Sequence, residues 1–522
     1  MNTSDFLTIA SAIVPDREAI VFDDRRFTYE ALSERVRRLA NALAELGVQP
    51  GDRVATMQVN CNQLMETYFA TAMLDALYVP LNYRARAEEL TNMLQDSGPK
   101  VILAGQRYVP LVKEALGAAS DIQRLVAFDA NTAPDGWLAY EDLLAQASDD
   151  EQFPAADDDD VTVLMYTAGT TGVPRAVMLT HESFASYILE NVSPADPDIE
   201  ERNILTVPLY HIAGMQAALS AVYGGRTLIV QRQFEPVEWM RLVERERASR
   251  AMMVPTMLKH LMEAAEFGNH DLSSLEVITY GAAPMPLEVI KRAIGAFPGV
   301  RFINAFGQTE TASTITMLPP EDHVLDGSPE EIERKLGRLA SIGKPLGDIE
   351  IRIVDEDGAD VPVGEMGEIV AKGPRLMKGY WNMEEATRQA MHGGWLHTGD
   401  LGYWDEDGYI FLAGRAKDMI KRGGEAISPE EVEQVLMAHP GVDEAAIIGV
   451  PDEEWGERVR AIVVAKDGAA PTAKELTDHC HERLASFKRP ESVIFVTELP
   501  RNPLGKILKR VLREEHGSSI DA

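Results

Sequence analysis

Between residues 28 and 305 the hydrophobic pattern switches repeatedly between two periods, and few architectures tolerate that alternation. Residues 28–46 place Leu32, Val36, Leu39, Leu43 and Leu46 on one helical face. Gly47, Pro50 and Gly51 then end the helix, and residues 53–59 read as a strand. Strand patterns follow at 78–81, 101–103, 125–128 and 161–166, with a helical pattern at 87–96. The middle repeats the theme, with strands at 204–207, 227–230, 251–254, 277–280 and 302–305 and helices between. Alternation of this kind predicts α/β layers with helices packed on parallel sheet.

The texture changes near Gly343. Short strands at 350–354, 367–371 and 409–413, separated by Gly-rich turns, predict a small β-rich subdomain. After Gly414 comes a compact α+β unit: helix 429–438, strands 445–450 and 459–465, helix 473–485, strand 492–496. A chain of 522 residues exceeds one domain of roughly 100–200 residues. The predicted division is a core over 1–414, a hinge at 415–418 and a C-terminal domain over 419–522.

Charge narrows the function classes. Asp plus Glu number 83 and Lys plus Arg 50, a formal net charge of −33. That disfavours non-specific binding to nucleic acid or anionic lipid, and neither is expected as a partner. An anionic small molecule remains compatible, because its site needs only local positive charge. Cys61 and Cys480 are the only cysteines, too few for a disulfide framework or a cysteine zinc site, and a reducing, cytoplasmic setting fits. No stretch approaches the roughly 20 apolar residues of a membrane span, and residues 6–14 read as the first turns of a helix. The acidic run 157–160 reads as a solvated loop ahead of a strand.

Several catalytic signatures are absent. No two glycines are separated by one residue, so the dinucleotide fingerprint is missing. There is no Walker-type phosphate loop, no Gly-x-Ser-x-Gly elbow and no His-Glu-x-x-His. His479 and His481 flank Cys480, but neighbours in a helix point to different faces and do not form a metal pair.

The strongest local signal runs from Tyr166 through Thr167, Ala168, Gly169, Thr170, Thr171, Gly172, Val173 and Pro174 to Arg175 and Ala176. A strand enters a loop of small and hydroxyl residues that ends in a cation. Glycine lets the backbone approach a ligand, backbone N–H groups and three threonine hydroxyls donate, and Arg175 neutralises charge. From the residues alone two readings stand: a phosphate cradle, and an ordinary Gly/Thr-rich turn.

This segment resembles the phosphate loop of the adenylate-forming superfamily, which contains acyl-CoA synthetases, peptide-synthetase adenylation domains and firefly luciferase. Other blocks resemble the family's in the same order. Tyr280-Gly281-Ala282-Ala283-Pro284 is similar to its adenine-side loop. Asn304-Ala305-Phe306-Gly307-Gln308-Thr309-Glu310-Thr311 is similar to its aromatic-Gly-x-Thr-Glu block, with Phe306 in place of the usual Tyr. Trp395-Leu396-His397-Thr398-Gly399-Asp400 is similar to its ribose block, residues 414–425 to its hinge and following loop, and residues 500–506 to its C-terminal lysine block. The phosphate loop departs from the family in carrying Arg175-Ala176 where Lys-Gly is usual; charge is kept, but alanine is less permissive at positive φ.

The resemblance implies activation of a carboxylate by ATP and Mg²⁺ to an acyl-adenylate, then transfer to a thiol. It implies that residues 167–172, 281–283 and 304–307 bind ATP, that Thr309 holds the α-phosphate, that Glu310 is the Mg²⁺ ligand and that Asp400 accepts the ribose hydroxyls. Arg415 contacts ribose or phosphate. Arg175 and Lys506 are catalytic cations, charge stabilisation being most of what such a reaction needs. The small domain is expected to rotate about Lys417, replacing Lys506 by Gly423, Gly424 and Glu425 on the coenzyme A side.

By the same resemblance His211, Gly214 and Met215 lie at the acyl pocket, with Ala213 beside them. Small apolar residues there predict an acid with a hydrophobic tail, a medium- or long-chain fatty acid ahead of an aromatic acid. The chain ends 16 residues after Lys506 with no carrier domain, which favours free coenzyme A as acceptor. The alternatives are an enzyme loading a carrier protein in trans, a luciferase-like oxygenase, and an inactive nucleotide-binding scaffold. A homodimer is the expected assembly.

Overall fold

The computed structural model describes residues 1–117, 122, 124–129, 133–167, 174–423, 425–452, 454–501 and 506–518. Among these, two large mixed sheets form the body of the chain. The first runs, edge to edge, Lys344–Pro345, Ser313–Leu318, Arg301–Gln308, Val277–Gly281, Arg250–Met253, Arg202–Leu205, Thr227–Val230, Glu18–Phe22 and Arg25–Thr28. The second runs Gly379–Tyr380, Arg175–Thr180, Val161–Thr167, Leu77–Pro80, Arg53–Met57, Val101–Ala104, Arg124–Ala127 and Leu138–Ala139. Both are parallel in their centres, as the alternation requires.

Helices fill the space between the sheets. One hydrophobic cluster joins Ile20 and Leu228 of the first sheet to Val54 and Val163 of the second, through Leu39, Phe69, Phe184 and Leu219 on four helices. Two of those helices, Asn62–Met73 and Ile212–Tyr223, are buried almost all round, the state expected of helices packed on several faces. The helix Tyr29–Glu45 is amphipathic instead. Leu32, Val36, Leu39 and Leu43 are wholly buried, and Thr28 caps the N-terminus by accepting from Ala31 N at 3.1 Å.

Parallel sheet alone does not describe either edge. Val161–Thr167 and Arg175–Thr180 pair antiparallel, with Thr167 opposite Arg175. A parallel return needs a crossover of a dozen or more residues, and only seven separate these strands. Glu18–Phe22 and Arg25–Thr28 form a second hairpin, turning at Asp23 with φ +54°.

A third sheet carries Glu350–Val354, Gly367–Lys372, Trp395–Trp404, Met391–His392 and Ile410–Arg415 over a small isoleucine-rich core. Arg375, wholly buried, joins it to the first large sheet by pairing with Asp348 and donating to the Thr314 carbonyl. The last part of the chain forms a fourth sheet of Ile420–Arg422, Glu425–Ile427, Gly456–Ala465, Val442–Asp452 and Ser492–Phe495. In Val442–Asp452, Ala445 and Ile447 enter one core while Ala446, Ile448 and Val450 enter another on the opposite face, the two-residue period of a strand covered on both sides. The helix expected over 473–485 stops at His481, where Arg489 donates to the His481 and Leu484 carbonyls. Cys61 and Cys480 are buried free thiols. The run 157–160 is a turn whose Asp158 and Asp160 carbonyls accept from Glu182 N and His181 N.

Candidate active site

The segments 281–283 and 304–307, expected to bind the nucleotide, lie at the carboxyl ends of two adjacent parallel strands, where α/β sheets present ligand sites. Gly281 ends its strand opposite Ala305 of the next one. A Cβ on Gly281 would stand 2.1 Å from the Ala305 carbonyl oxygen, and one on Gly307 would stand 1.5 Å from that of Ser313. The close approach demands glycine at both positions. Ala282 follows at φ +65°, a left-handed position unusual for alanine. Asn304 donates to the Ser341 carbonyl at 3.2 Å, and the Phe306 ring packs against the isoleucine core of the third sheet.

Thr309 and Glu310 occupy a short 3₁₀ turn, Thr309–Thr311. They are not its caps: Gln308 and Thr311 satisfy each other instead, Gln308 N donating to Thr311 Oγ1 at 3.0 Å. Ala312 and Ser313 then both take positive φ, at +46° and +92°. Such backbone settings cost about 1–3 kcal/mol each and persist where the surroundings impose them.

The two strands that flank residues 168–173 are each held by a side chain from elsewhere in the fold. The Tyr166 hydroxyl donates to Asp96 Oδ2 at 2.7 Å. Across the hairpin the Arg175 guanidinium lies 5.4 Å from the centre of the Tyr380 ring. Ala168, Gly169, Thr170, Thr171 and Gly172 lie outside the described residues. Ala176, in place of the family's glycine, sits buried in a regular strand opposite Tyr166, where no positive φ is needed. The departure from Lys-Gly therefore leaves the loop's second strand intact.

Tyr380 was not singled out from the sequence. Its hydroxyl donates to Glu310 Oε1 at 2.9 Å, and the Glu310 carbonyl accepts from Met377 N at 2.8 Å. The two-residue strand Gly379–Tyr380 hydrogen-bonds to Arg175–Thr180 at the sheet edge, so one tyrosine touches both the phosphate-loop cation and the acidic turn. One carboxylate, that of Glu310, is available to a cation here, with no group of three His, Cys, Asp or Glu side chains gathered to hold a metal among the described residues. A single hard oxygen ligand fits Mg²⁺, which is bound by one or two carboxylates together with phosphate oxygens and water.

Asp400 and Arg415 face each other across paired strands, with Arg415 Nε 2.8 Å from Asp400 Oδ1. Burial raises the Asp400 carboxyl above its usual range, and the Arg415 and Lys506 charges oppose that rise. Lys506 stands in the same field. Its side chain reaches solvent, yet the surrounding protein strips water from the ammonium. Desolvation first, then the Arg415 and Lys417 charges, hold it down to about 8, against the attraction of Asp400 and Asp418. Lys417 lies in the turn Ala416–Asp418 and is lowered by desolvation as well. Three cationic residues, Arg415, Lys417 and Lys506, thus gather about Asp400 in a chain of net charge −33.

Gly423 adopts φ +57° and donates through its N–H to the Trp455 carbonyl at 2.8 Å; a Cβ there would meet the Trp455 ring at 2.9 Å. Glu425 is exposed at the start of the next strand, and Gly424 lies outside the described residues.

His211 precedes the buried helix Ile212–Tyr223. Its Nε2 is buried without a hydrogen-bond partner among the described residues, and burial, with the Arg84 charge, lowers the imidazole to about 3. Burial therefore favours the neutral imidazole at His211. Its ring lies 4.2 Å from that of Tyr210, which meets Tyr83 at 5.3 Å. Gly214 lets the helix pass the Pro208 carbonyl, which a Cβ would approach to 2.3 Å, and Met215 is buried in the core between the sheets.

The chain is similar to known proteins over nearly its whole length. Residues 9–381 match the AMP-binding enzyme family and residues 431–506 the AMP-binding enzyme C-terminal domain. A feruloyl-CoA synthase of Amycolatopsis sp is 37% identical over 504 residues, 96% of each chain. A long-chain-fatty-acid–CoA ligase of Mycobacterium tuberculosis is 36% identical over 500 residues, 95% of this chain and 94% of that one. The crystal structure of the anthranilate CoA ligase AuaEII with anthranoyl-AMP superposes with a TM-score of 0.88 at 27% identity, covering 99% of this chain and 97% of that one. With its large N-terminal and small C-terminal parts, this chain belongs to the adenylate-forming family of AMP-binding enzymes and is an AMP-forming acid–thiol ligase.

Proposed function

We propose that the enzyme joins a carboxylic acid with a hydrophobic tail to coenzyme A in two half-reactions, with a medium- or long-chain fatty acid as the first reading of the acid. The observation that carries the mechanism is the convergence of Lys506, Arg415 and Asp400. In the first half-reaction the carboxylate attacks the α-phosphorus of ATP and pyrophosphate leaves. Asp400 accepts from the ribose, Thr309 and the loop 167–172 hold the phosphates, and residues 281–283 and 304–307 line the adenine. Lys506, as a mobile point charge, bridges the carboxylate and the α-phosphate; Arg175 balances the leaving charge. Mg²⁺, held through Glu310, would supply further neutralisation of phosphate charge.

In the second half-reaction residues 419–522 turn about the hinge 415–418 at Lys417. Lys506 leaves, and the segment Gly423–Glu425 comes to the coenzyme A side. Free coenzyme A is the proposed acceptor, ahead of a carrier protein in trans. A cytoplasmic homodimer is the proposed setting; among the described residues no helix is long and apolar enough to cross a membrane.

An aromatic acid is the second reading of the substrate. The rings of Tyr83, Tyr210 and His211 form a continuous aromatic series beside the proposed acyl pocket, and a feruloyl-CoA synthase stands among the relatives. One experiment separates these readings. The enzyme is incubated with Mg·ATP and acids of increasing chain length, benzoates and cinnamates, with and without coenzyme A, and acyl-AMP and acyl-CoA are followed by mass spectrometry. Fatty acyl-CoA supports the first reading and cinnamoyl- or benzoyl-CoA the second. Acyl-AMP that never transfers to coenzyme A moves the acceptor to a carrier protein. Retained ATP binding with no product from any acid overturns the enzymatic reading.

A further inference from the structure

Lys259 lies on the helix Pro255–Glu263, far in sequence from every site motif. Its ammonium reaches across to the C-terminal sheet, 2.7 Å from Asp443 Oδ1 and 4.0 Å from Glu444 Oε1. Glu444 Oε1 also accepts from Arg501 Nη2 at 2.6 Å. Arg501 forms an antiparallel bridge with Ile507, the residue after Lys506. A series of contacts therefore runs from a helix of the large part, through Glu444 and Arg501, to the backbone beside Lys506, with Asp443 holding Lys259 at its start.

We propose that Lys259 is a positioning residue for acyl-adenylate formation: it holds the small domain in the pose that presents Lys506. The inference rests on the two-pose reading given under Proposed function. Three features support it. The four side chains are half-buried, Lys259 most deeply at 17% exposed, so water screens them less than a surface pair. The contact joins parts of the chain that turn relative to one another, so it exists in one pose and is lost in the other. One of its partners, Glu444, also holds Arg501, which bridges to Ile507 next to Lys506. An interaction made in only one of two states biases the equilibrium by its own worth.

The two half-reactions should then respond in different directions. Lys259→Met is expected to slow acyl-adenylate formation about three- to tenfold, the worth of one partly buried ion pair. Transfer from supplied acyl-adenylate to coenzyme A should stay at the wild-type rate or rise, because the second pose loses a competitor. Lys259→Arg should keep most of the first rate. Asp443→Asn should behave as Lys259→Met does, and the double variant should be no worse than either single one. A merely structural lesion would slow both half-reactions together. Should Lys259→Met fold poorly, Asp443→Asn carries the same comparison. Equal slowing of both half-reactions, or wild-type rates in both, overturns the proposal while leaving the two-step function in place. A wild-type enzyme that forms no acyl-adenylate overturns the functional reading itself, and the inference with it.

Discussion

The Tyr380 hydroxyl donates to Glu310 Oε1 at 2.9 Å while the Arg175 guanidinium lies 5.4 Å from the centre of the same ring. One aromatic side chain thus ties the acidic turn to the phosphate-loop cation. Burial and the Glu310 carboxylate both keep its hydroxyl protonated by raising it above its ordinary range. Tyr380→Phe keeps the ring under Arg175 and removes only the donor to Glu310. Loss of a hydrogen bond to a carboxylate is worth about 1.5–3 kcal/mol. The variant should therefore lose roughly ten- to a hundredfold in kcat/KM for adenylate formation, and it should require more Mg²⁺. Titration of Mg²⁺ against ATP-dependent thermal stabilisation reads the second effect without turnover. An unchanged Mg²⁺ requirement would dissociate Tyr380 from the role given to Glu310.

Lys506, the proposed catalytic cation, is expected to set the alkaline side of the first half-reaction. A base lowered to about 8 is charged below that pH and loses its proton above it. Adenylate formation, which uses the charged form, should fall as pH rises through 8 when kcat/KM is plotted, since that ratio reports the free enzyme. Bound ATP brings negative charge, which favours the ammonium, so the same limb in kcat should lie at higher pH. Lys506→Arg should remove the limb, because a guanidinium does not titrate there, at reduced rate because its planar fork replaces a point charge. Lys506→Ala should abolish adenylate formation and spare transfer from supplied acyl-adenylate. The same alkaline limb in both half-reactions would contradict this assignment.

His181 links pH to stability rather than to turnover. Its Nδ1 accepts from Thr3 N at 3.1 Å, and burial lowers the imidazole to about 4. A buried neutral histidine binds fewer protons than its unfolded counterpart between pH 4 and 6.5. Stability from this group is therefore fully present above 6.5 and is lost as pH falls toward 4. The loss amounts to about 3 kcal/mol at the acid end. Melting temperatures of the wild type and of His181→Gln, compared from pH 7 to pH 4.5, should converge as pH falls. Parallel curves would place the acid-sensitive group elsewhere.

The legible part of this molecule was the part written in periodicity and ordered motifs. The helix Tyr29–Glu45 and the strands around Val277–Gly281 follow from spacing, because their apolar faces meet a single core. Hairpin pairing was harder to read. The second strand of the phosphate-loop hairpin buries Val177 and Leu179 in one core and Ala176 in another, and its outer edge pairs with Gly379–Tyr380, more than 200 residues further along the chain. Tyr380 itself stands in a two-residue edge strand with no period to detect. Lys259 is one lysine on an ordinary amphipathic helix, and its partners are 184 and 185 residues away. Local motifs encode the chemistry; the residues that position them are brought in by tertiary folding.

Gly281 gives the sharpest steric test of the nucleotide edge. Its missing Cβ would lie 2.1 Å from the Ala305 carbonyl oxygen, and backbone, unlike a flexible side chain, cannot swing aside. Gly281→Ala must therefore push apart the strands Val277–Gly281 and Arg301–Gln308 at their carboxyl ends, where residues 281–283 and 304–307 converge. Overpacking of this kind costs about 1–3 kcal/mol, much less than the stability of a large domain, so the variant should fold with a modestly lowered melting temperature. ATP binding should suffer more, because the displaced segments are those proposed to hold adenine. The expected outcome is a rise of at least tenfold in the ATP dissociation constant measured by calorimetry, against a smaller change in the affinity for pyrophosphate, which does not reach the adenine side. Equal weakening of both ligands would mean that the strand edge acts on the whole site rather than on the base.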